Sequence, residues 1–150
     1  TAGFASFNMG SLTSISVVII ISLSKEMPES STTYAAIIFT VDDADIVMVA
    51  YGIPSRICKT AINAARAKGI KVGLIRPITL WPFPTAALKK AAETAKHFMV
   101  CELNMGQMIE DIRLYTGCKK PVSLCNRCGG MIPSPDEVLE SIRKAAKGEC

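Results

Sequence analysis

The sequence predicts an α/β domain: three layers, with a mainly parallel sheet covered by helices on both faces. Two observations carry this. Short apolar runs at 46–50, 72–75, 98–103 and 121–125 alternate with segments of helical spacing, which is the rhythm of repeated βαβ units. The run Ile46-Val47-Met48-Val49-Ala50 contains no polar residue, and such a run fits a strand buried on both faces, as a parallel sheet requires. With 150 residues, 49% of them hydrophobic, the chain has enough apolar surface for one domain with its own core, and it is not a disordered chain.

The elements follow in order. Residues 1–33 read as an atypical arm or linker, set apart from a domain at 34–150; 13 of the first 40 residues are Ser or Thr. Within the arm, 15–21 is β-prone. It reads either as an appended strand or loosely packed arm, or as a surface that pairs with another chain. Residues 27–31 form a turn, and 35–40 a short strand ahead of the core. The first core strand, 46–50, is followed by a helix at about 54–68. Pro54 suits its first turn and Gly69 its end, and Ile57, Ala61, Ala64 and Ala65 form its apolar face. A strand at 72–75 leads into Arg76-Pro77. Residues 80–84 form a loop stiffened by two prolines, with Trp81 and Phe83 packing it down. A helix at 85–96 turns Leu88, Ala91, Ala92 and Ala95 inward.

A strand at 98–103 then turns through Asn104-Met105-Gly106-Gln107 into a helix at 107–115, with Asn104 or Gly106 near its N-cap. After the strand at 121–125 and a loop at 128–133, Ser134-Pro135-Asp136-Glu137 opens the last helix. Ser at N-cap, Pro at N1 and Glu at N3 form a capping box. Val138, Leu139, Ile142 and Ala146 give that helix its core face, and Gly148 ends it.

Charge and composition exclude several function classes. The net charge is +4, and the basic residues are scattered rather than striped with aromatics, so nucleic acid is not an expected partner. The longest apolar run, 15–23, is about half the ~20 residues a membrane helix needs. No basic n-region marks a signal peptide. The expectation is a soluble, cytoplasmic protein. Because the sequence does not begin with Met, it reads as a fragment or processed product. The six cysteines read mostly as free thiols in a reducing compartment.

In open α/β sheets ligands bind beyond the carboxyl ends of the strands. That rule selects Gly52, Ser55, Arg76, Asn104, Met105, Gly106, Gln107, Arg127, Gly129 and Gly130 as a ligand or interface edge. Gly52-Ile53-Pro54-Ser55 follows a strand and opens a helix, so Ser55 and free N–H groups there suit an anion. The stretch lacks G-x-G-x-x-G and G-K-[ST], and a tight turn is the plainer reading. Cys125 and Cys128 form a lone C-x-x-C, short of the ligands a structural metal site needs. His97, the only histidine, is expected to be exposed and away from the ligand edge. Glu102, near the end of an apolar strand, needs a partner; Arg76 at a neighbouring strand end is the expected one. Met105 and Met108 read as core or interface filler. No nucleophile, base and oxyanion set assembles, so no catalytic residue and no metal ligand is assigned.

Four stretches together resemble one family. Asp43-Ala44-Asp45-Ile46-Val47-Met48-Val49-Ala50-Tyr51-Gly52 resembles the opening of the transketolase C-terminal-like domain in 2-oxoacid:ferredoxin oxidoreductase alpha subunits. Lys71-Val72-Gly73-Leu74-Ile75-Arg76-Pro77-Ile78-Thr79-Leu80-Trp81-Pro82-Phe83-Pro84 resembles the next strand and loop. Glu102-Leu103-Asn104-Met105-Gly106-Gln107-Met108 resembles the third strand end, and Gly129-Gly130-Met131-Ile132-Pro133-Ser134-Pro135 the final helix entry. Order and spacing match over about 41–150, most closely in the 2-oxoisovalerate and 2-oxoglutarate branches.

The resemblance implies a five-stranded sheet of order 1-3-2-4-5, with 35–40 as an antiparallel first strand. It implies an enzyme that decarboxylates a 2-oxoacid with thiamine diphosphate and Mg, passes electrons through iron–sulfur clusters to ferredoxin, and forms an acyl-CoA. The family's diphosphate motif and cluster cysteine runs are absent here, and the C-x-x-C matches no cluster pattern. The implied role is a non-catalytic domain that braces the active site and builds contacts with other domains and subunits. A homo-oligomer through an exposed interface would also fit. A free-standing module that holds a small anion at Gly52, Ser55 and Gly106 is the alternative, and a thiol-redox protein using Cys125 and Cys128 a third.

Overall fold

The computed structural model describes residues 36–149. The arm 1–33, with its β-prone stretch, lies outside them. The chain runs β1 (Ala36–Phe39), β2 (Ile46–Val49), α1 (Gly52–Arg66), β3 (Val72–Pro77), α2 (Thr85–Thr94), β4 (His97–Glu102), α3 (Met108–Tyr115), β5 (Val122–Asn126) and α4 (Pro135–Lys147). The strands form one sheet in the order β1-β3-β2-β4-β5. β1 is antiparallel to β3, and the other three pairings are parallel. The expected architecture and strand order are both present.

β2 sits at the centre because nothing in it seeks water. Val47, Met48 and Val49 are fully buried, and strand alternation sends them to opposite faces. Val47 and Val49 join Phe98, Val100, Leu88 and Ile112 on the face covered by α2 and α3. Ile46 and Met48 join Ile62, Met99, Val138 and Ile142 on the face covered by α1 and α4. Each such side chain contributes about 1.5–3 kcal/mol on burial, so the two cores hold the three layers together.

The helix faces differ in phase from the sequence reading. α1 buries Cys58, Ala61, Ile62 and Ala65, while Ile57 and Ala64 are half-buried at its flank. Pro54 and Ser55 are buried in the first turn, and they set the stripe one residue further round. α2 buries Ala87, Leu88 and Ala91; Ala92 is half-buried. It stops at Thr94, because Ala95 is extended and the Lys96 N–H donates to Asp45 O, 2.8 Å away. In α4 the buried residue is Ala145 and Ala146 is exposed, since i, i+4, i+7 from Val138 reaches 145.

Close contact fixes the turn between β1 and β2. A Cβ on Gly73 would lie 2.6 Å from Thr40 O and 2.8 Å from Val41 Cα, so only glycine fits there. Arg66, at the end of α1, locks the same corner. Its Nε donates to Val72 O at 2.6 Å, and its Nη2 to Thr40 O at 2.7 Å. The guanidinium also clasps both oxygens of Asp43. This fork holds the Asp43 carboxyl below its ordinary range, as a charge-assisted bidentate pair does.

Candidate functional site

The carboxyl edge of the sheet collects the loops after β2, β3, β4 and β5. After β2, Tyr51 is the N-cap of α1 with no side-chain cap bond, and Gly52 takes φ +59. Ser55 is almost fully buried, and its hydroxyl donates to Gly52 O at 2.7 Å. The hydroxyl therefore ties the first turn from inside. Arg76, near the end of β3, is half-buried opposite Ile37. The following loop does not pack as expected. Phe83 is buried and stacks on Tyr115, with centroids 5.6 Å apart, but Trp81 is 83% exposed. One aromatic of the two supplies the packing, and the other faces out. The peptide between Trp81 and Pro82 is cis.

Glu102, the last residue of β4, is 1% exposed. It does not pair with Arg76. β2 lies between β3 and β4, which separates their ends by two strand spacings, about 10 Å. Instead Glu102 Oε1 accepts from the Met108 N–H at 2.7 Å, so the strand-end carboxylate satisfies the first free donor of α3. Its Oε2 is buried with no hydrogen-bond partner among the described residues. Asn104 closes the turn, its Oδ1 accepting from the N–H groups of Gly106 at 2.8 Å and Gln107 at 3.2 Å. Gly106 has φ +97 and faces Leu124. The N-cap of α3 is Gln107, one residue past Gly106 and three past Asn104. Met105 stands 81% exposed.

After β5, the Arg127 N–H donates to Glu102 O at 3.2 Å, and its guanidinium pairs with Glu137. Ser134 and Glu137 form the expected capping box. Gly129 and Gly130 are exposed, with φ +76 and +77.

The C-x-x-C does not act as a unit. Cys125 points toward Cys101, its register partner in β4, whereas Cys128 is exposed with its sulfur 3.4 Å from Met105 Sδ. The Cys101 hydrogen bond and burial both raise the Cys125 thiol. At Cys101 the Cys125 hydrogen bond favours the thiolate, but the Cys58 hydrogen bond and burial outweigh it and push the thiol up to about 12. Neither is a reactive thiolate. His97 is half-buried rather than exposed, because it is the first residue of β4 and its Nε2 lies 2.8 Å from Ser123 Oγ. It sits at the amino edge, away from the loops above. Among the described residues no three His, Cys, Asp or Glu side chains are placed to hold a metal ion, and no helix is long and apolar enough to cross a membrane.

The edge is also apolar, as a contact surface built from strand-end loops would be. Among the described residues nine large hydrophobics are exposed, and eight of them follow the carboxyl ends of the parallel strands. They are Ile53 after β2, Ile78, Leu80 and Trp81 after β3, Leu103 and Met105 after β4, and Met131 and Ile132 after β5. Their convergence on one edge follows from the topology rather than from residue spacing.

Comparison with known proteins agrees with this architecture. The family model described as "Pyruvate:ferredoxin oxidoreductase core domain II" matches residues 44–138. Ketoisovalerate oxidoreductase subunit VorB of Methanothermobacter thermautotrophicus is 51% identical over 108 residues, covering 72% of this chain and 30% of the relative. The chain thus spans about a third of that relative's length. Among solved structures, the 2-oxoglutarate:ferredoxin oxidoreductase of Magnetococcus marinus superposes with a TM-score of 0.65 at 26% identity, covering 73% of this chain and 19% of that one. A split gene transketolase superposes with a TM-score of 0.60 at 16% identity, covering 73% of this chain and 40% of that one, a likeness of fold.

Proposed function

The chain belongs to the pyruvate:ferredoxin oxidoreductase core domain II family, and from that premise we propose that it is the non-catalytic, interface-forming domain of a 2-oxoacid:ferredoxin oxidoreductase subunit. The observation that carries this is the apolar carboxyl edge. Among the described residues, eight of nine exposed large hydrophobics follow the carboxyl ends of the parallel strands, and apolar side chains gathered at one edge suit an interaction surface. In this reading the candidate edge, from Gly52 and Ser55 through Arg76 and Asn104–Gln107 to Arg127, Gly129 and Gly130, meets other domains and subunits of the enzyme. Residues 1–33 would be the linker toward them.

The full enzyme would oxidise a branched 2-oxoacid of the 2-oxoisovalerate class to an acyl-CoA in the cytoplasm, with ferredoxin as acceptor. The described residues do not fit the groups that this chemistry requires. Cys125 faces an apolar layer, Cys128 lies on a methionine, and Ser55 Oγ is spent on its own turn. In this reading iron–sulfur clusters, thiamine diphosphate and Mg would belong to other domains, and this domain would help to hold them in place. An anaerobic pull-down from the source lysate tests the proposal. Recovery of a thiamine-diphosphate-binding subunit and an iron–sulfur subunit is expected; a stable monomer that recruits neither would overturn it.

A further inference from the structure

A cleft of about 410 Å³ opens between the ends of β2 and β4. Tyr51, Ile53 and Pro54 line one side and Glu102, Leu103 and Asn104 the other. It lies where the chain reverses direction across the sheet, since β3 is on one side of β2 and β4 on the other. Crevices at such switch points are where open α/β sheets bind ligands. The walls are mainly apolar, and Ile53 and Leu103 reach solvent. One feature of the lining is unresolved within the chain. Glu102 is 99% buried, one oxygen holds the Met108 N–H, and the other meets no donor among the described residues. No Lys or Arg lines the cleft.

A buried carboxylate oxygen without a donor is costly, and a charged partner relieves it best. The uncapped start of α1 by itself would favour an anion, but a carboxylate in the same wall repels one. We propose that this cleft receives a lysine or arginine side chain, carried on an apolar segment of a neighbouring domain of the same oxidoreductase, with Glu102 Oε2 as its acceptor. The apolar stem of such a side chain would lie against Ile53, Pro54 and Leu103 while its head reaches inward. The chain spans 30% of its ketoisovalerate oxidoreductase relative, which leaves most of that relative's length to supply such a segment.

The inference rests on the reading of this edge as an interface, and it is tested without any subunit. The isotope-labelled 150-residue chain is titrated with benzylammonium, benzoate and benzyl alcohol while the amide resonances are followed. Benzylammonium is expected to shift the amides of Tyr51, Ile53, Leu103 and Asn104 and to bind more tightly than the other two. Glu102→Gln keeps an oxygen for the Met108 N–H but removes the free acceptor, and should weaken benzylammonium by about tenfold while leaving benzyl alcohol unchanged. Should that variant fold poorly, Ile53→Lys places a cation at the mouth and should abolish benzylammonium binding.

Tighter binding of benzoate, benzylammonium binding by the variants unchanged from the parent chain, or no shift at the cleft would each overturn the inference. Benzylammonium binding by a chain that recruits no subunit would sink the assembly reading alone. Recruitment of the subunits by a chain that ignores benzylammonium would sink the cleft alone.

Discussion

Gly73 has no room for a side chain, and its neighbours are backbone atoms that cannot turn aside. Gly73→Ala should cost about 2–3 kcal/mol, the upper part of the range for overpacking. At Gly129, where a Cβ would meet open space, only the left-handed backbone is penalised, and Gly129→Ala should cost about 1 kcal/mol. Urea midpoints of the two variants check the ranking. His97 gives the chain a pH dependence. Burial holds its imidazole below the usual 6.5, so the folded chain binds that proton less readily than the unfolded one. The contribution of His97 is complete above about 6.5 and is lost as pH falls through the lower folded value. Stability should decline as pH falls below about 6.5, and His97→Gln should flatten that decline. An unchanged slope in the variant would assign the dependence elsewhere.

At the scale of elements, α4 is the helix whose ends the sequence specifies best. Ser134 and Glu137 exchange bonds at one end, and Gly148 takes φ +75 at the other. Ser134→Ala should cost about 1 kcal/mol, read as a lower thermal midpoint. Both this helix and β2 were legible because their signals are local: a capping box needs four residues, and a doubly buried strand needs only an apolar run. Signals that depend on what lies across the sheet were not. The partner of Glu102 is set by β2 standing between β3 and β4, and residue spacing alone does not give that order; the resemblance to a known family did. Ile57 and Ala64 were placed one step off the buried stripe of α1, because alanine-rich helices have several faces of nearly equal hydrophobicity. Trp81 was expected to pack because a large aromatic usually finds a partner within its own domain. The candidate edge was legible as the set of strand ends. Its cleft was not, since it arises from loops about 50 residues apart in the chain.

Over the whole molecule the two edges of the sheet differ in chemistry. The amino edge carries Lys68, Lys71, Lys96, Lys119 and Lys120 in its loops, partly answered by Asp43 and Asp45 through ion pairs to Arg66 and Lys96. That is what helix carboxyl ends favour, and it is compatible with water. The carboxyl edge carries the exposed apolar side chains and the unanswered Glu102 oxygen. We propose that this second edge is the face the chain presents to the rest of an oxidoreductase. Amide hydrogen exchange of the free chain, compared with the chain assembled with its subunits, distinguishes the two edges. Protection should rise at 52–55, 78–81, 103–107 and 127–132 and stay unchanged at 67–71 and 117–120. Protection confined to the amino edge, or none at either edge, would contradict it.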